Sequence, residues 1–166
     1  VVLLLTAMSA AADAAVNWAD GTGFWDVATN WSSNPALPGA TDDVVINVAG
    51  VQTITHRSGT DTVQSLAITD NNLAVTGGVL TVTGAFSNTG NTSLSGGTLT
   101  LNGASTLNTL AQSGVGTLTG SGAVTVSGLF TWTGGVMFGP GTTTASGGIA
   151  LGGTAQNDLR NARILN

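Results

Sequence analysis

The sequence predicts an all-β fold, a parallel β-helix of right-handed coils about 19 residues long, begun by a tryptophan-rich cap. Two sets of columns and the composition predict it. Gly84, Gly103, Gly122 and Gly141 stand 19 residues apart, and Gly78, Gly97, Gly116 and Gly135 repeat at the same period. Leu80, Leu99, Leu118 and Met137 fall in a further column, two places beyond the second set of glycines. A fixed period of roughly 20 to 50 residues marks a repeat architecture in which each unit is one supersecondary coil. Apolar residues make up 42% of the chain while charged ones make up only 7%, against a usual charged share of about 25%. Valine, threonine, leucine and isoleucine dominate, and these suit pleated, half-buried surfaces.

The first element in chain order is not part of the coil. Val1 to Met8 is an apolar run followed by small residues, with Ala12-Asp13-Ala14 in the Ala-x-Ala pattern. This reads as the apolar region and cleavage site of a secretory signal over residues 1–14, too short to span a bilayer. No initiator methionine and no basic segment precede it, so the sequence is read as starting inside the signal. Cleavage after Ala14 removes Asp13 and leaves seven Asp against three Arg, a net charge of −4. An acidic chain without lysine offers no footprint for nucleic acid or anionic lipid. There is no cysteine, so stability has to come without disulfides.

Residues 15–58 form the second element and hold three of the four tryptophans and Pro35 and Pro38. The repeats, residues 59–166, form the third. Between Asn71 and Asn157 there is no charged side chain. Within one row, Thr117-Leu118-Thr119, Val124-Thr125-Val126 and Phe130-Thr131-Trp132 are alternating runs separated by glycine and serine turns, hence three short strands per coil. Alternation puts Val124 with Val126, and Phe130 with Trp132, on one face. Such a coil buries its apolar face only when stacked on others at about 4.8 Å. Corner glycines permit the positive φ of tight bends, and threonine and asparagine ladders pair along the stack. The competing architecture, an antiparallel sandwich, gives hairpins no reason to hold one period. The last row, Thr154 to Asn166, carries Asp158, Arg160 and Arg163 and reads either as a polar cap or, as preferred here, as a point beyond which further coils follow.

The cap segment runs Asn17-Trp18, Gly21-Thr22-Gly23, Trp25, Asn30-Trp31, Pro38-Gly39, Asp42-Asp43 and the apolar strand Val44-Val45-Ile46. This order resembles the start of large bacterial secreted repeat proteins, the autotransporter passengers and filamentous-haemagglutinin-like adhesins. The resemblance implies an exported, surface-displayed or shed rod that is often adhesive, with surface glycans or host and matrix proteins as partners. Trp18, Trp25, Trp31 and Phe24 are read as a plug for the open end of the stack. The alternative is that Trp18, Trp25 and Trp31 form an exposed platform for sugar rings. Asp42 and Asp43 are weak calcium candidates; a turn before the strand from Val44 is the plainer reading.

Catalytic chemistry is missing from the repeats. Glycosidases and lyases need carboxylate pairs or a base, and the calcium-binding nonapeptide needs an Asp in each unit. Gly114-Val115-Gly116 and Gly120-Ser121-Gly122 sit between strands with no helix and no lysine, unlike a phosphate loop. His56, the one histidine, with Asp61 nearby, is read as a solvent-exposed turn residue rather than a general base. The sequons at Asn30 and Asn91 are read as chance. The sequence therefore predicts a non-enzymatic scaffold without cofactor, able to self-associate through its ends. The alternatives are a carbohydrate-binding or carbohydrate-active protein whose catalytic part lies elsewhere, and a self-assembling surface-layer component.

Overall fold

The protein is described by a computed structural model covering residues 14–166. The signal segment expected over 1–14 lies, apart from Ala14, outside the described residues. Among the described residues every strand pairing is parallel, and the one antiparallel contact is an isolated bridge between Trp18 and Trp31. The chain is a β-solenoid of about six turns, and the sandwich alternative is gone.

Three faces make up the stack. Strands Asp43–Ile46, Ser65–Ile68, Val124–Val126 and Thr142–Ala145 belong to the first; Thr53–His56, Asn72–Val75, Phe130–Trp132 and Ile149–Leu151 belong to the second. The third holds Thr60–Val63, Val79–Val82, Thr98–Leu101, Thr117–Thr119, Gly135–Met137 and Asn157–Leu159. In two middle coils the first and second faces are joined by single long strands, Phe86–Leu94 and Ser105–Gln112. The predicted apolar column is a true register line. Leu80 pairs with Leu99, Leu99 with Leu118 and Leu118 with Met137, and all four are buried. Val44, Leu66 and Phe86 make a second such line, and Ile54 and Leu73 begin a third. Each fully buried Val, Leu or Ile contributes about 1.5–3 kcal/mol, and only the coil above and the coil below can supply that burial.

Stacking starts earlier than the sequence suggested. Val16 already pairs with Val44, and Thr53–His56 pairs with Asn72–Val75 at a 19-residue offset. The ladder therefore crosses residue 58 without a break, because the cap segment supplies strands to the same faces.

The glycine columns also owe their place to something other than the predicted bend geometry. Of the eight glycines only Gly78 and Gly135 lie in the left-handed region, at φ 67° and 92°. What all eight share is close approach to the preceding coil. A Cβ on Gly103 would fall on the backbone of Gly84, and one on Gly122 on the carbonyl of Gly103. Corner backbone rests on corner backbone, and only a residue without a side chain fits between.

At the far end, Ile149, Leu151, Leu159 and Ile164 are exposed on the last strands. Asp158 and Arg160 form a surface ion pair. Arg163 instead turns inward, donating to Thr143 Oγ1 and the Gly120 carbonyl, and burial pulls its guanidinium below its ordinary pKa.

Replacing Gly103 by Ala should lower stability by about 1–3 kcal/mol, the range for overpacking. Gly152, with nothing within 4 Å and no left-handed φ, should instead gain about 0.4–1 kcal/mol as Ala. Urea denaturation of the two variants checks the contrast.

Candidate functional site

The tryptophans form a plug. Trp18, Trp25 and Trp31 are 3%, 0% and 1% exposed and belong to the same apolar cluster as the coil interior. Trp31 lies edge-to-face against both others, with ring centroids 4.8 Å from Trp18 and 4.6 Å from Trp25. Its indole N–H donates to the Trp25 carbonyl, and that of Trp18 donates to the Gly21 carbonyl. The turn Ala28–Asn30 brings Trp31 back over Trp25. These rings have no face left for a sugar, so the platform alternative is corrected: the seven- and six-residue spacings serve packing. Phe24, the exposed aromatic of the group, carries the Arg57 guanidinium at 3.7 Å from its ring centroid.

Asp42 and Asp43 are used separately. Asp42 accepts from the Gly39 amide, closing a turn, while Asp43 accepts from the Ser65 hydroxyl one coil on. Among the described residues no three His, Cys, Asp or Glu side chains come together as metal ligands. Calcium, which takes six to eight oxygens, finds no set here.

His56 is not in a solvent-exposed turn; it is fully buried. It stands in the inward column that continues as Val75 and Leu94, and Asp61 stands in the inward column that continues as Leu80. The two meet inside the first full coil, with His56 Nε2 2.9 Å from Asp61 Oδ2 and Nδ1 2.9 Å from the Gly77 carbonyl. Both ring nitrogens thus lie within hydrogen-bond distance of a fixed partner. The pair fills the lumen beneath Trp25, 6.1 Å from its ring.

The feature that sequence reading missed is a groove at the bend between the first and second faces. The bend can be measured between residues matched by register. Ile46 to Ile54 is eight residues, Ile68 to Leu73 five, Asn88 to Thr92 four and Leu107 to Leu110 three; Val126 to Phe130 is four again. The corner thus retreats coil by coil, reaching its shortest at Asn108, where the ladder is bulged. The long first bend, residues 47–52, stands up as an end wall. The result is a depression of about 800 Å³ reaching from Asn47 and Val51 to Asn108. A second hollow of about 360 Å³ continues it past Thr89 and Asn108 to Ser127.

Its polar side chains are held by the stack. Thr89 donates to Asp70 and accepts from the Asp70 amide; Asn91 donates to Asn72; Thr109 donates to Asn91. The side chains of Asn47 and Asn108 are exposed and make no hydrogen bond among the described residues. Asp70 sits at φ 57°, turning the chain outward at the groove edge.

Trp31→Ala should cost about 3–5 kcal/mol, as for a large ring removed from a core. Asp61→Ala should cost about 1–3 kcal/mol by leaving the buried Nε2 of His56 without its partner. Thermal unfolding measures both, and a sub-kcal loss in either would contradict the packing described.

Comparison of the chain with protein-family models, curated sequences and solved structures finds no match.

Proposed function

We propose that this chain is part of an exported, non-enzymatic rod whose surface is uncharged from Asn71 to Asn157, in the manner of an adhesin stalk. The observation that supports it most is the use made of the ionisable groups. His56, Asp61 and Arg163 are spent inside the coil, Asp42 and Asp43 on a turn and a ladder, and Asp26 on Arg57. Outward positions carry small residues and hydroxyls instead, such as the register line Thr62, Thr81 and Thr100. A surface of that kind suits many weak contacts repeated along a rod rather than one catalytic cleft. Export rests on the apolar start with its Ala-x-Ala pattern, and the bacterial surface setting rests on the resemblance of the tryptophan segment. No helix among the described residues is long and apolar enough to cross a membrane.

Antibody against residues 15–166 should label intact cells of the native host, and the mature chain recovered from them should begin at Ala15. Recovery of the chain from the cytoplasm with residues 1–14 still attached would contradict export. Turnover of a polysaccharide by the purified chain would contradict the non-enzymatic reading.

A further inference from the structure

We infer that the bend groove is a binding site for a neutral oligosaccharide chain lying along the solenoid axis. The inference deepens the rod proposal by naming a ligand class for one face, but it rests on groove geometry alone.

The lining decides the chemistry. Asn47, Asn72, Asn91 and Asn108 offer amide donors and carbonyl acceptors, Thr89 offers a hydroxyl, and Asp70 is the one charged residue. Sugar hydroxyls both donate and accept, and a row of amides answers that at every position. No cation lines either hollow, so a phosphate, sulfate or uronic acid would meet only the Asp70 carboxylate. A lone carboxylate among amides is too few charged oxygens for a divalent cation. A peptide adding as a strand needs open backbone groups along its length, whereas here backbone N–H and C=O point up and down the stack and are taken by neighbouring coils. The end wall supplies the apolar contact that a sugar's C–H face needs, with Val51 72% exposed beside Val48 and Ala49.

The site is also built before any ligand arrives. Asp70, Asn72, Thr89 and Asn91 are each fixed by a side chain one coil away, so little rotamer freedom is lost on binding. Asn47 and Asn108, unused by the fold, stand at the two ends of the main hollow with their amides available. Asn72 and Asn91 repeat one coil apart along the groove, a spacing that suits a polymer of like units.

The test is amide-resolved NMR titration of the folded chain with cellohexaose, mannohexaose, xylohexaose and hexagalacturonate, each to about 10 mM, a range that detects millimolar affinity. At least one neutral hexasaccharide should shift resonances of residues 47–52, 70–72, 89–91 and 108, with hexagalacturonate bound at least tenfold more weakly. The double variant Asn47→Ala, Asn108→Ala should weaken binding at least tenfold, and Asn108→Phe, which fills the floor from an exposed position, should do the same. Asn102→Ala, at a different corner, should leave it unchanged. Native dispersion of the spectra in each variant shows that the rod is intact. Absence of binding by all three neutral probes, survival of binding in both groove variants, or equal affinity for hexagalacturonate would overturn the inference and leave the rod reading standing.

Discussion

Each strand of this protein is two to nine residues long and most are three or four, so no coil can bury its own apolar residues. The constraint on everything else is that one coil must lie directly on the next, in register, with backbone hydrogen bonds running along the stack. Parallel pairing at a near-constant offset brings Leu80, Leu99, Leu118 and Met137 into one line and fixes the height of each layer at about 4.8 Å. The corner glycines follow from the same constraint, since a Cβ at Gly84, Gly103 or Gly122 would enter the backbone of the coil beneath. So does the treatment of polar groups in the lumen. Asn88 donates to Thr92, and Gln112 donates to the Gly116 and Val136 carbonyls, while Gln112 Oε1 and the indole nitrogens of Trp25 and Trp132 have no partner among the described residues.

The first and last described coils are built differently. Three indoles and the His56–Asp61 pair close the beginning, while the last described strands carry exposed Ile149, Leu151 and Ile164 over an inward-turned Arg163. The tryptophan-rich segment is therefore continuous with the solenoid, as its strand Val16–Asn17 paired with Val44 and Val45 shows. Its aromatic residues work for folding, and function has to be sought on the outer surface.

What was legible in the sequence was whatever repeats. Coil length, the three runs around Leu118, Val124 and Phe130, and the inward parity of Val126 and Trp132 all read correctly, because period and alternation are written in residue type. The two readings of the tryptophans stayed open until burial separated them. His56 was misplaced because its partners lie five and 21 residues away, and nothing local marks an inward-facing histidine. The groove was invisible for a subtler reason. A coil that shortens its bend by one residue and lengthens a strand keeps nearly the same period, so the 19-residue columns persist while the corner retreats from Ile46–Ile54 to Leu107–Leu110.

The central claim, equal parallel layers, is tested most directly by spin-label distances measured from Thr60. Thr60, Val79, Thr98, Thr117, Val136 and Asp158 lie on one register line. Distances from Thr60 to Thr117, Val136 and Asp158 should therefore grow in equal steps to about 14, 19 and 24 Å, at one layer of about 4.8 Å per coil. Distances that fail to increase along this series, or that alternate as neighbouring hairpins would make them, would contradict the account.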